Sequence, residues 1–161
     1  MDNNLYKVNK ILNSEKYKEY LKKNNECEMD REFCKHDIDH FLDVARIAYI
    51  ICLEKGLNYS KEVIYAIAIL HDIGRWMEYE KGIPHEEASE ILAKELLREA
   101  GFSEYEENLI LQAILSHRKH GEGELNFIIY KSDKLSRKCF ACGAEQKCNW
   151  NKDKKNFNIL Y

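Results

Sequence analysis

The sequence predicts an all-α protein: one helical bundle followed by a short cysteine-rich C-terminal extension. Three observations carry this. The 161 residues contain a single proline, Pro84. Runs that alternate between apolar and polar residues are essentially missing, and helix start and stop signals recur along the chain. The length suffices for one domain with a proper core. A hydrophobic content of 45% and a charged content of 33% are ordinary for a globular protein.

The elements follow in order. The first 25 residues suggest one or two helices, around Leu5 to Leu12 and Glu15 to Lys23. "DIDHFLDVARIAYIICLEKG" then runs to Gly56, with Val44, Ile47, Ala48 and Ile51 at helical spacing. Ser60 reads as the N-cap of "KEVIYAIAIL", and Gly74 as the end of that segment. Pro84 opens "HEEASEILAKELLREA" and Gly101 closes it. Ser103 with Glu106 forms a capping box for "EYEENLILQAILSHRK". "LNFIIYKSDKLSR" gives a shorter last helix. The expected division is an N-terminal helical segment over 1–30, a helical core over 31–138 and the cysteine-rich extension over 139–161.

Composition excludes several function classes. Lys and Arg total 25 against 28 Asp and Glu, a net charge of -3, unlike the basic balance of a general nucleic-acid binder. No stretch approaches the roughly 18 apolar residues of a membrane span, and "MDNNLYKVNK" is no signal peptide. A cytoplasmic location is expected, with the six cysteines as thiols or metal ligands.

Helical phase decides where the polar residues face. Ile64, Ile67, Ala68 and His71 follow i, i+3, i+4, i+7, so the imidazole extends the core-facing stripe. Ile110, Ala113 and Ile114 lead to His117, and Leu125, Ile128 and Ile129 to Asp133. His85 begins the stripe of Ala88 and Leu92, and His40 that of Val44, Ile47 and Ile51. A single inward histidine is usually a hydrogen-bonded core residue. Five helices doing the same is different, because a buried Asp133 without a cation would carry a desolvation cost of several kcal/mol. Four imidazoles and two carboxylates, counting Asp72 beside His71, make a nitrogen-and-oxygen site for a borderline divalent metal. Helix bundles build such centres from facing helices.

These residues resemble the H…HD…D signature of the HD-domain metal-dependent phosphohydrolases, over roughly Phe33 to Lys138. "HDIDHFLDVARIA" is similar to the family's first-helix pattern and "ILHDIGR" to its defining segment. His85 and His117 match the extra histidines of the six-ligand, two-metal branch, which includes bacterial hydrolases of symmetrical dinucleoside tetraphosphates. The resemblance implies an all-helical HD-type bundle in which Asp72 bridges two metals. His40, His71 and Asp133 would complete the first, and His85 and His117 the second. One or two divalent transition metals are implied: iron, manganese, zinc, nickel or cobalt. After Asp133 the chain departs from that branch. "KLSRKCFACGAEQKCNW" resembles small HD proteins of anaerobic Firmicutes with a cysteine-rich C-terminal segment.

The activity implied is hydrolysis of a nucleotide or another small phosphate ester by a metal-bound hydroxide. Asp72, Arg75 and Lys134 are the expected catalytic residues, with Arg75, Arg118 and Lys134 as substrate-binding cations for the charge that builds on phosphoryl oxygens. Each cation is also explicable as a solvated helix-end residue. His36 and Asp37 are read as supports of the helix start or of the ligands, and His120 as a loop residue or substrate contact. Two other functions stand beside hydrolysis. One is an HD-type di-iron oxygenase, with Tyr49, Tyr65, Trp76 and Tyr79 as candidate pocket residues; the anaerobic context counts against it. The other is a non-catalytic, metal-stapled module binding a nucleotide or protein, against which the complete ligand set counts.

Cys139, Cys142 and Cys148 have a spacing that fits tetrahedral zinc or an iron–sulfur cluster lacking one ligand, or are plain surface thiols. Cys34 lies six residues before His40, and Cys139 six after Asp133. Six residues span about 9 Å as helix and up to about 20 Å extended, so Cys34 can supply the fourth thiol. Cys27 is the reserve candidate, and Cys52 a small core residue.

Overall fold

The structure, a computed structural model, describes residues 5–119 and 121–161. His120, expected in a loop or against substrate, lies outside the described residues. Among those described, the chain is helical without strands: α1 Tyr6–Leu12, α2 Glu15–Cys27, α3 Ile38–Glu54, α4 Lys61–Leu70, α5 Arg75–Lys81, α6 His85–Ala100, α7 Glu104–Ser116 and α8 Glu124–Leu135. The all-α expectation is borne out. None of these helices is long and apolar enough to cross a membrane.

The short α4 is the hub. Val63, Ile64 and Ala66 through Leu70 are all buried, as expected for a helix that is apolar all round. Against it pack α3, with Phe41 and Ile51, and α7, with Ile110 and Ile114, while α8 packs on those two and adds Ile128 and Ile129 to the same core. Val8 and Ile11 of α1 and Tyr17 of α2 join the same core. The Tyr17 hydroxyl donates to the Ile69 carbonyl at 2.9 Å. A central helix of this kind delivers whatever follows Leu70 into the interior.

Gly74 has a different role from the expected terminator. Helix α4 stops at Leu70, residues 71–74 form a turn, and Gly74 caps the start of α5, a helix the sequence reading did not resolve. There α5 is pressed against α6. A Cβ on Gly74 would lie 2.4 Å from the Ser89 nitrogen and 2.6 Å from the Ala88 carbonyl carbon, while the Gly74 N–H donates to Ser89 Oγ at 2.9 Å. Gly74→Ala is therefore expected to destabilise the fold by at least about 1–3 kcal/mol, the usual cost of overpacking. An unchanged urea midpoint would contradict this contact.

The other punctuation marks are where expected. Gly101 ends α6 in the left-handed region at φ 90°, and Ser103 with Glu106 makes the capping box of α7. Beyond α8 the chain forms three single 3-10 turns, at Cys139–Ala141, Glu145–Lys147 and Lys152–Lys154.

Candidate metal centre

Six side chains meet at the inner ends of five helices. His40 lies in the first turn of α3, His71 caps the end of α4 with Asp72 next to it, and His85 is the first residue of α6. His117 caps the end of α7, and Asp133 lies in the last turn of α8. None is more than 6% exposed. Ligand atoms of His40, His71, Asp72 and Asp133 all lie within 4.8 Å of one another, and so do those of Asp72, His85 and His117.

Asp72 belongs to both groups and divides its oxygens between them. Its Oδ2 is 3.3 Å from His71 Nε2. Its Oδ1 is 3.4 Å from His85 Nε2 and 3.5 Å from His117 Nε2. Asp133 Oδ1 sits 3.2 Å from His40 Nε2 and 3.7 Å from His71 Nε2.

The second nitrogen of each ring is anchored. His71 Nδ1–H donates to the Ala68 carbonyl at 2.7 Å and His117 Nδ1–H to the Ile114 carbonyl at 2.6 Å. His85 Nδ1–H donates to Glu78 Oε2 at 2.9 Å. The Ser136 hydroxyl donates to the Asp133 carbonyl, so it accepts from His40 Nδ1–H at 3.1 Å. These acceptors place the proton on Nδ1 and turn the Nε2 lone pair inward, the arrangement that orients metal-binding histidines. His71 Nε2 is fully buried without a hydrogen-bond partner, which is rare for a buried polar atom. The donor set thus fits a borderline divalent metal, and these buried groups could bind one.

The electrostatics agree for the two carboxylates and for His40 and His85, but not for His71. Burial pushes the Asp72 carboxyl up, but Arg75, then His71 and His36, hold it well below the carboxylate range. Asp133 is likewise held down against burial by the neighbouring His40 and His71 rings and by Lys134. Burial lowers His40 and His85 to about 4, leaving neutral imidazoles. His71 is raised to about 9, because the Asp72 and Asp133 charges outweigh its burial. Metal binding requires ionised carboxylates and neutral imidazoles, so Asp72, Asp133, His40 and His85 stand ready for an ion, whereas at His71 an ion would displace a proton.

A cleft of about 260 Å³ opens onto this centre, lined among others by Arg75, Lys134, Arg137, His36, Asp133 and Trp150. Arg75 Nε donates to Asp72 Oδ1 at 3.1 Å, and the Lys134 ammonium contacts Asp133 Oδ2. Arg118 lies elsewhere, 54% exposed, beside Glu86 at 3.6 Å and Glu78 at 4.0 Å. Asp37 caps α3 through the His40 N–H. His36 does not support the helix start; its Nε2 lies 3.8 Å from Asp72 Oδ2, while Nδ1 pairs with Glu28 Oε1 at 2.6 Å. The aromatic candidates do not gather here. Tyr49 and Tyr65 pair with each other, Trp76 stacks on Tyr20, and the Tyr79 hydroxyl donates to Glu28.

Several contacts at the centre escaped sequence reasoning. Arg137 Nη2 donates to His40 Nε2 at 3.2 Å. Asn24, fully buried on α2, donates to the Asp72 carbonyl at 3.0 Å and accepts from the Trp76 N–H at 2.8 Å, clamping the turn between α4 and α5. Glu78 and Ser136 orient His85 and His40. Only Arg137 offered a signal, being one helical turn from Asp133.

The HD-domain family model matches residues 37–144. The chain is also 48% identical, over 155 residues, to an uncharacterized protein of Clostridium beijerinckii, covering 96% of this chain and 99% of that protein. No solved structure matches. The fold and centre are those of a helical bundle with a histidine–aspartate core. The chain belongs to the HD-domain family, whose superfamily is generally one of metal-dependent phosphohydrolases.

Proposed function

We propose that this protein hydrolyses a nucleotide or another small phosphate ester in a metal-dependent reaction. One observation carries the reading: two groups of buried ligands share Asp72 beneath a cleft lined by Arg31, Arg75, Lys134 and Arg137. His40, His71, Asp72 and Asp133 would hold one metal, and Asp72, His85 and His117 a second. Divalent metals there would supply Lewis acidity and a water of lowered pKa.

The protein's own residues do the rest. Negative charge accumulates on the phosphoryl oxygens during transfer, and fixed cations at that position stabilise it. Arg75 and Lys134 line the cleft, Arg75 beside the shared carboxylate of Asp72 and Lys134 beside Asp133. Arg75 engages Asp72 and Glu78 through two of its nitrogens, and arginine has five N–H donors to distribute. Arg137 is held by the Lys35 carbonyl at 2.9 Å and reaches His40 Nε2 at 3.2 Å. The Trp150 ring offers a stacking surface suited to a base. The volume of the cleft is small for a ligand pocket, which favours a small ester over a polymer.

Metal analysis followed by a phosphatase and nucleotide panel with manganese, iron, nickel or cobalt tests the proposal. Hydrolysis of at least one small phosphate ester is expected. Bound metal with no hydrolysis under any of these metals would overturn it in favour of a binding module. Ser136→Ala provides a finer check. It removes the acceptor of His40 Nδ1–H, and metal affinity should fall about 10–100-fold, as for other groups that orient ligands. Isothermal titration on the two proteins reads that difference.

A further inference from the structure

We propose that Cys34, Cys139, Cys142 and Cys148 hold an iron–sulfur cluster, separate from the histidine–aspartate centre. The inference does not depend on the phosphohydrolase reading. The four cysteines come from chain segments about a hundred residues apart, yet all four line one cavity of about 340 Å³. That cavity lies between the loop before α3 and the segment after α8. Cys27 is exposed at the end of α2 and Cys52 is buried within α3; neither lines it. None of the six cysteines is in a disulfide.

The width of the set distinguishes a cluster from a single ion. Four thiolates at about 2.3 Å from one zinc stand about 3.8 Å apart along every edge of the tetrahedron. Among the described residues, the groups of ligand atoms lying within 4.8 Å of one another are the two histidine–aspartate groups, and no three cysteine sulfurs make such a group. A cluster spreads its thiolates over two or four irons and so holds them farther apart than one ion does, which suits four sulfurs that line one cavity without closing to that distance. The sulfurs are still near enough to feel one another. Burial is the main cause that pushes the Cys34 thiol up, and Cys139, Cys142 and Cys148 add to it against Arg137.

The cavity lining mixes cations and acids, with Arg137 and Lys155 standing beside Asp37, Asp43 and Glu145. The Lys155 side chain is only 7% exposed, held by the Glu145 carbonyl and carboxylate at 2.8 Å each. The extension also needs a fastening that its apolar residues do not provide. Of residues 139–161 only Ala144 is buried, while Phe140, Phe157, Ile159 and Leu160 are exposed. Its visible ties are polar: Phe140 N–H to the Asn156 carbonyl, Asn156 to the Lys134 and Arg137 carbonyls, and Lys147 to Glu32. A cluster bridging Cys34 to the other three would crosslink the extension to the loop before α3 and hold Trp150 at the mouth of the cleft.

Inorganic sulfide separates this site from the histidine–aspartate centre, where iron can bind without it. The full-length protein is purified anaerobically and, in parallel, incubated with an iron salt, dithiothreitol and sulfide. Two or four acid-labile sulfides per chain, a broad visible absorption band and an electron paramagnetic resonance signal on reduction are expected. Cys142→Ser and Cys148→Ser should lose all three and be cleaved faster near residue 140, whereas Cys27→Ser should lose none. Asp72→Asn should keep the sulfide, so failure of the catalytic reading and failure of this one are told apart. A single zinc per chain without sulfide, lost in Cys142→Ser, would overturn the cluster in favour of a mononuclear site. Equal metal and sulfide contents in wild type and Cys142→Ser would overturn it too. If Cys142→Ser is insoluble, the sulfide count of the wild type decides alone.

Discussion

Asp72→Asn is expected to lower hydrolysis by more than about a hundredfold and to reduce metal content at both halves of the centre. Residues that merely orient ligands cost about 10–100-fold when removed, and Asp72 does more. It is the one side chain common to the two groups, with Oδ2 towards His71 and Oδ1 towards His85 and His117. Asparagine keeps the shape but supplies one neutral oxygen and an amide nitrogen with no lone pair for a metal. It also removes the charge that Arg75 faces at 3.1 Å. The backbone should survive the change, because Asn24 holds the Asp72 carbonyl and not its carboxylate. Metal analysis, a turnover assay and a thermal melt on the same preparation check this. Retention of wild-type activity with two metals would exclude Asp72 as a bridging ligand.

How much of this could be read without coordinates follows from what helical periodicity encodes. A stripe at i, i+3, i+4, i+7 fixes which way a side chain points from its own helix, so the inward phase of His40, His71, His117 and Asp133 was readable. The all-α class and the helix ends at Pro84, Gly101 and Ser103 rest on similarly local chemistry. Periodicity carries no information about what comes from another helix. Asn24 is 48 residues from Asp72, and nothing in α2 announces that its amide clamps the turn between α4 and α5. Ser136 anchors His40 by a contact of the same long-range kind, and Glu78 anchors His85 across the short turn between α5 and α6. Helix α5 was missed because Gly74, normally a stop signal, is needed for close approach to Ala88 and Ser89. His36 was half-read. Four residues before His40 is one helical turn, but α3 begins only at Ile38, so tertiary contacts to Glu28 and Asp72 set the direction of its ring.

His85→Ala separates a two-metal centre from a one-metal centre. The variant leaves His40, His71, Asp72 and Asp133 untouched, and these four form a complete group by themselves. The second group loses one of its three members, and two ligands bind a divalent ion poorly where structural and catalytic sites use three or four. Metal content should therefore fall from two towards one per chain. A pair of metals clamps attacking and leaving oxygens together, so hydrolysis should fall by about a hundredfold or more while the remaining metal stays bound. Alanine also removes one partner of Glu78, which accepts from His85 Nδ1–H at 2.9 Å and keeps Arg75 at 3.4 Å. Glu78→Gln keeps His85 but weakens its anchoring together with the Glu78 contact to Arg75, so a loss of about tenfold to a hundredfold is expected. A thermal melt of each metal-free variant separates loss of a ligand from loss of the packing of the buried His85 ring, which lies 5.2 Å from that of His117. If His85→Ala keeps two metals and full turnover, His85 is a packed histidine and the second half of the centre does no work. If it loses both metals, the two groups bind as one unit and Asp72 cannot hold the first ion without the second.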